Sequence, residues 1–356
     1  MTVLAKKETT EGAAARERAA AARGAALDVS GLHLAIGAGA RAVPLLADIT
    51  VRVEPGETVG LVGESGSGKS LTARAALGMT PRGARATGRV TVAGVDVLAA
   101  GRAELRELRR TGASMVFQDP RASFNPVRRI GDYLTEGLRA RGVPARDAAE
   151  RALDLLGQVG IRDPRGALRR HPHEFSGGML QRVVIAGALM AEPALLLADE
   201  PTTALDVTTQ AEVIALLKTL QAAHGTGILF VTHDLDLAAA ICDRIYVMYA
   251  GRIVEEATGS VLFDAPAHPY TRALLEASPS VHGDKVAIKA IEGRPKSLAE
   301  APDGCSFRDR CPLADDACAA GVPELRPYPA HRHLAHRKPA HASSQVACVR
   351  PEETTP

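Results

Sequence analysis

The chain has 356 residues, 46% hydrophobic and 24% charged, enough apolar material for one large domain or two ordinary ones. A net charge of +2 is too small to imply a nucleic-acid or membrane-surface partner, and 3% aromatics with no Trp leave few stacking platforms for single strands. No stretch approaches the ~18 consecutive apolar residues of a membrane span, and "MTVLAKKETTEGAAARERAAAARG" lacks a signal-peptide core. Residues 1–26 therefore read as a flexible tail, and any work at a membrane is expected from its cytoplasmic side.

Regular patterning begins near Leu27. "ALDVSGLHLAI" alternates like an edge strand, "LLADITVRVEPGETVGLVG" predicts two strands around a Pro-Gly turn, and "GRVTVAGVDVL" predicts a short strand pair. Residues 133–168 have helical spacing with breaks near Pro144 and Pro164. "ALLLADE" and "GILFVTHD" are apolar runs ending in polar residues, as buried parallel strands do. Between them "TTQAEVIALLKTLQAAHG" predicts an amphipathic helix ending on a Gly cap. Alternating strands and helices predict an α/β domain with a mainly parallel sheet. After about Pro279 the texture turns to Pro, His, Arg and Cys without periodicity, which predicts a small loop-rich module over 280–356.

"GLVGESGSGKS" reads Gly63-x-x-x-x-Gly68-Lys69-Ser70, directly after an apolar strand and before a helix-forming "LTARAAL". That is the context of a P-loop, whose backbone N–H groups and helix N-terminus face phosphates. Lys69 is placed to reach the β- and γ-phosphates and Ser70 to hold Mg²⁺. Asp199 ends an apolar strand, the usual place for a carboxylate that holds Mg²⁺ through water. Glu200 beside it is placed to polarise an attacking water as general base. In "EFSGGMLQR", Ser176-Gly177-Gly178 opens a helix and makes a second anion site, or simply an N-cap.

These motifs resemble a known family. "GESGSGKS", "FQDP", "SGGMLQR", "LLLADEPTTALD" and "FVTHD" occur in the order and spacing of ABC-transporter ATP-binding subunits, over roughly 27–280. The resemblance implies a P-loop NTPase (RecA-like) core with an antiparallel β subdomain and a helical subdomain at about 119–190, within an ATPase domain at 27–279. It implies that Gly63, Ser65, Gly66, Ser67, Gly68, Lys69, Ser70, Leu71, Thr72, Gln118 and Asp199 bind ATP and Mg²⁺. Glu200, His233 and Gln118 would be catalytic, with His233 sensing the γ-phosphate and Gln118 linking metal and water to the helical subdomain. Ser176, Gly177, Gly178 and Gln181 would contact the nucleotide of a second ATPase subunit, and Asp206 would link the two sites. One γ-phosphate joining two surfaces makes closure depend on ATP and opening on hydrolysis. The family's adenine-stacking aromatic is replaced by Ile36.

"FNPVRRIGDYLTEGL", "APAHPYTRALLEASP" and "IEGRPKSL" resemble the oligopeptide, dipeptide and nickel importer branch more narrowly. That implies peptide cargo, with nickel or a metal chelate as the alternative. The implied partners are a second ATPase, identical or homologous, two membrane permease subunits and an extracytoplasmic solute-binding protein, with no nucleic acid. His268-Pro269-Tyr270 reads as a structural corner. A non-transport ATPase of DNA repair needs a long insertion between Lys69 and Gln118, for which there is no room, and a translation factor needs two cassettes. A redox-sensing module with a vestigial ATPase conflicts with the intact Lys69, Asp199, Glu200 and His233.

Cys305, Cys311, Cys318 and Cys348 follow the spacing C-x₅-C-x₆-C-x₂₉-C, which is not that of common zinc modules or bacterial ferredoxins. In a reducing compartment clustered cysteines point to metal or redox chemistry, leaving an iron–sulfur cluster, zinc or unligated thiols open. "GCSFRDRCPLADDAC" resembles a segment of peptide-importer ATPases, some of which carry a 4Fe–4S cluster, and the resemblance implies that cluster on these four cysteines. Cys242 reads as a buried small apolar residue, and His331, His333, His336 and His341 read as a solvated basic tail.

Overall fold

The computed structural model describes residues 24–203, 205–277, 289–328 and 344–351. Most of the expected N-terminal tail, the expected boundary at 279, and His331, His333, His336 and His341 lie outside the described residues. In chain order the elements are β1 (Leu27–Ile36), β2 (Val43–Val53), β3 (Thr58–Val62), α1 (Lys69–Ala75), β4 (Ala84–Val92), β5 (Val95–Asp96), α2 (Arg102–Glu107), β6 (Ala113–Val116), α3 (Ile130–Arg139), α4 (Ala145–Gln158) and α5 (Pro164–Ala167). Then follow α6 (Gly177–Leu189), β7 (Leu195–Asp199), α7 (Val207–His224), β8 (Gly227–Thr232), α8 (Leu235–Ile241), β9 (Arg244–Tyr249), β10 (Arg252–Ala257), α9 (Gly259–Asp264), α10 (Pro269–Ala277), β11 (Arg326–Tyr328) and β12 (Ser344–Val346).

The predicted strands and helices form for local reasons. Between β2 and β3, Glu57 N–H donates to the Glu54 carbonyl at 3.1 Å, closing the turn at Pro55-Gly56. Ala93 and Gly94 both take positive φ, the conformation of a two-residue hairpin turn, and β4 and β5 pair Val92 with Val95. The helical stretch breaks at Pro144 and again before Pro164, which opens α5 behind the Asp163 cap. α7 buries Val213, Ile214, Leu217 and Leu220 and ends at Gly225, whose φ of 66° provides the left-handed cap.

The chain divides into two compact units. One comprises 1–27, 53–57 and 91–229. In it β6 and β7 pair in parallel, and α6 packs on β6 and against α3 and α4. α3 buries Ile130, Leu134 and Leu138, and α4 buries Ala148, Ala152, Leu155 and Leu156. These spacings of three and four residues put one apolar face of each helix inward.

The other unit comprises 28–52, 58–90 and 230–356. Here β3 and β9 pair in parallel, with Val59 opposite Arg244 and Val62 opposite Val247. Beyond β9 the ladder turns antiparallel: β10 pairs with β9, β12 with β10 and β11 with β12. Residues near the C-terminus thus extend the sheet that carries β3. Sequence periodicity does not reveal this, because β11 and β12 are three residues each. Among the described residues the remainder of that segment is loops and short 3₁₀ turns, including Arg308–Arg310 and Asp316–Ala319.

Candidate active site

All five residues of β3 are buried, and the strand ends at Gly63. A Cβ on Gly63 would lie 2.1 Å from the Met248 carbonyl oxygen, so only glycine lets the chain leave the sheet there. The loop then presents exposed Ser65 and Gly66, with Ser67 buried, to Gly68, whose φ of 105° starts α1. Lys69 is buried, and its ammonium donates to the Gly63 carbonyl at 2.7 Å and the Glu64 carbonyl at 2.9 Å. Thr72 Oγ1 donates to the Gly68 carbonyl at 3.1 Å, while Ser70 and Leu71 are half-buried on the first turn of α1. A loop of turned backbone with a buried ammonium against it is suited to a polyphosphate.

Two side chains from far along the chain grip this loop. Glu64 N–H donates to Tyr270 Oη at 2.8 Å, and the Arg310 guanidinium forks the Glu64 carboxylate at 2.7 and 3.1 Å. His268 is buried and its Nδ1 accepts from Tyr270 N–H at 3.0 Å, so the expected corner is there, and it also delivers Tyr270 to the loop. Arg310 lies within "GCSFRDRCPLADDAC", which the sequence marks by its cysteines, and nothing in that pattern points to this contact with Glu64.

In the other unit β7 ends at buried Asp199, followed by Glu200 at a positive φ of 48°. A non-glycine residue is held in that region only at an energetic cost, and such strain collects at functional sites. Gln118 Nε2 and Thr203 Oγ1 both donate to Glu200 Oε2 at 2.9 Å, fixing one oxygen of the carboxylate. Thr203 was not among the expected residues.

Ser176 caps α6, its hydroxyl accepting from Met179 N–H at 3.3 Å, and Gly177 and Gly178 follow half-buried. A Cβ on Gly178 would meet Thr209 at 2.7 Å, so the close approach of α6 and α7 requires the glycine. Gln181 is buried in α6, with its amide nitrogen lacking a hydrogen-bond partner among the described residues. Asp206 caps α7, accepting from Thr209 N–H at 3.0 Å and Oγ1 at 2.7 Å, and these bonds hold its carboxyl below the usual range. His233 is exposed just after β8, and Ile36 is 37% exposed at the end of β1.

The ABC transporter family model matches residues 46–203, and the model of the oligopeptide/dipeptide transporter C-terminal region matches 254–318. The oligopeptide transport ATP-binding protein OppD of Salmonella typhimurium is 42% identical over 298 residues, covering 83% of this chain and 89% of its own. A relative from Brucella melitensis is 45% identical over 314 residues, covering 84% and 93%. The chain belongs to the ATP-binding subunits of the oligopeptide/dipeptide ABC importer family. Among solved structures, an ATP-binding cassette dimer in a post-hydrolysis state with ADP and Pi matches with a TM-score of 0.57 at 27% identity, over 65% of this chain and 97% of its own. The cbiO1 protein of Clostridium perfringens, part of an ABC transporter complex, matches with a TM-score of 0.59 at 27% identity, over 67% and 90%. Members of this family hydrolyse ATP to power transport.

The segment that marks the oligopeptide/dipeptide branch contains three of the four clustered cysteines. Cys305, Cys311, Cys318 and Cys348 line one pocket, with Phe307 and Leu313 among its apolar walls. Cys305 N–H donates to the Cys318 carbonyl at 2.8 Å, and Arg350 N–H to Cys348 Sγ at 3.4 Å. Burial pushes Cys305 up and Cys311 and Cys348 up to about 11, with the neighbouring thiols adding to the shift. The expected metal module is not borne out as a preformed ion site. Among the described residues no three of His, Cys, Asp and Glu gather closely enough to hold one metal ion. Cys242 is buried under Gly60, as expected of a small apolar residue.

Proposed function

We propose that this chain is the ATP-hydrolysing subunit of an importer that drives uptake of di- or oligopeptides through two membrane permease subunits, supplied by an extracytoplasmic solute-binding protein. The observation that carries the reading is the coexistence, on one chain, of the ABC match over 46–203 and the oligopeptide/dipeptide match over 254–318. Among the described residues no helix is long and apolar enough to cross a membrane. The subunit is placed by this reading at the cytoplasmic face, paired with a second ATPase, identical or homologous, and bound to no nucleic acid.

In this reading the loop Gly63–Thr72 binds the ATP phosphates through backbone N–H groups and Lys69. Ser70 and Asp199 would hold Mg²⁺, which when bound would neutralise phosphate charge. Glu200 accepts a proton from water as the water oxygen bonds to the γ-phosphorus. The bond from that phosphorus to the β–γ bridging oxygen breaks, and ADP leaves with the electron pair. Gln118 fixes the Glu200 oxygen, as its 2.9 Å bond supports, and His233 hydrogen-bonds the γ-phosphate. Ser176, Gly177, Gly178 and Gln181 serve the partner subunit's nucleotide, and Asp206 relays between the two sites. Uptake of labelled peptides and of nickel chelates in a strain lacking this protein tests the cargo. Loss of peptide uptake supports the reading, and loss of nickel uptake alone overturns it.

Cys305, Cys311, Cys318 and Cys348 are proposed to hold a 4Fe–4S cluster as a structural support. Four thiols lining one pocket support this. Iron, acid-labile sulfide and zinc measured per chain after anaerobic purification test it. Matching iron and sulfide support the cluster, and zinc without sulfide, or no metal, overturns it.

A further inference from the structure

We infer that Arg310 is a positioning residue for ATP: by neutralising and turning the Glu64 carboxylate it keeps the phosphate loop able to accept a polyanion. This rests on the loop 63–72 being the ATP phosphate site, as proposed above.

Glu64 is the first residue after Gly63 in the loop, and each of its polar groups is held. Its N–H donates to Tyr270 Oη, and its carbonyl accepts from Lys69 Nζ at 2.9 Å and from Ser67 N–H at 3.2 Å. Its carboxylate takes both arms of the Arg310 fork. Arg310 in turn has no freedom left. Its side chain is 4% exposed, its Nε donates to the Glu292 carbonyl at 2.8 Å, and its guanidinium lies 5.8 Å from the Tyr249 ring centre and 5.9 Å from that of Phe307. A planar fork held on three sides is a geometric clamp as well as a charge.

The chemistry explains why a clamp is needed. A carboxylate on a loop that must bind a triphosphate repels the ligand, and 20% exposure screens little of that repulsion. Arg310 cancels the charge and holds the carboxylate on the side of Tyr249 and Phe307. Removing Arg310 leaves a largely buried anion beside the phosphate site, so the loss falls on ATP affinity. In the proposed reading the proton-accepting step uses Glu200 rather than this loop, so turnover at saturating ATP is spared.

The test is a cycle on the full-length chain: ATP affinity by calorimetry with Mg²⁺, KM and kcat by phosphate release, and thermal unfolding for wild type, Arg310→Gln, Glu64→Gln and the double variant. Arg310→Gln is expected to weaken ATP at least about tenfold with kcat within about twofold. Glu64→Gln in the Arg310→Gln background is expected to restore affinity to within about threefold. Should Arg310→Gln not fold, Arg310→Lys, which keeps the charge and loses the fork, is expected to raise KM by about three- to tenfold. A folded Arg310→Gln or Arg310→Lys chain that binds ATP like wild type, or a double variant as weak as Arg310→Gln alone, overturns the inference. Wild type failing to bind ATP at all overturns the phosphate-site reading beneath it instead.

Discussion

Gln118 donates its side-chain amide to the Glu200 carboxylate at 2.9 Å, across 82 positions of sequence. The bond occupies one carboxylate oxygen, which Thr203 also holds, and so aims the other. With Glu200 as the proton acceptor proposed above, Glu200→Gln is expected to lower turnover at least about a hundredfold while leaving ATP affinity intact. Gln118→Ala is expected to lower turnover less. Phosphate release at saturating ATP measures both, and wild-type turnover in Glu200→Gln would remove the residue from its role.

Lys69 places its only charge on the Gly63 and Glu64 carbonyls. Lys69→Ala is expected to weaken ATP by about a hundredfold or more, since a buried cation facing phosphate is lost. Calorimetry with the purified chain decides it, and a change below tenfold would assign the phosphates elsewhere.

Gly63 and Gly66 lie in one loop at positive φ but differ in surroundings. Alanine at 63 places Cβ 2.1 Å from the Met248 carbonyl, whereas alanine at 66 meets nothing within 4 Å. Gly66→Ala is expected to cost about 1–2 kcal/mol of backbone strain, and Gly63→Ala about 3 kcal/mol or more, to the point of misfolding. Urea unfolding compares them, and equal midpoints would contradict the steric account.

Glu255 is fully buried and burial pushes its carboxyl up to about 7, against the opposing hydrogen bonds from the Ala267 and His268 N–H groups at 2.8 and 2.9 Å. Its folded pKa lies above its unfolded value, so the folded state binds the extra proton between about pH 4.3 and 7. Stability from this group is complete below about 4.3 and is lost as pH rises through 7, by on the order of 3 kcal/mol. Neighbouring His268, pushed down to about 3 by burial, acts with the opposite sign between about pH 3 and 6.5. Comparison with Glu255→Gln isolates the carboxyl: the variant is expected to lack the loss of stability between pH 4.3 and 7. Parallel stability–pH curves for the two chains would exclude this account.

Much of the geometry around the candidate site was legible because it is local. The glycine spacing of 63–70, the apolar run ending at Asp199-Glu200, the Ser176 cap and the Gly225 cap are each written within a few consecutive residues. Their reasons are backbone geometry and strand burial, which spacing reports directly. The Arg310–Glu64 fork was not legible. It joins residues 246 positions apart, one of them in a turn without periodicity, and only the tertiary fold gives the two charges a reason to meet. The same holds for β12, whose pairing with β10 depends on Glu255 facing Val346 and Glu256 facing Gln345 rather than on any pattern in "SQV". The cysteines stand between these cases. Their clustering was visible and their sharing of one pocket followed, but spacing says nothing of how far apart four sulfurs sit within it.

The grip of Tyr270 and Arg310 on Glu64 also sets an order in time. During synthesis Glu64 leaves the ribosome 246 residues ahead of Arg310, a delay of roughly 12–50 s at 5–20 residues per second. Through that interval the loop exists without Arg310, and for the first 206 of those residues without Tyr270 as well, and the β12 edge of its sheet has not been made. A nascent chain that has not yet reached Arg310 therefore carries the Gly63–Thr72 loop in a slack setting, and tight binding of ATP waits on the turn at Arg308–Arg310.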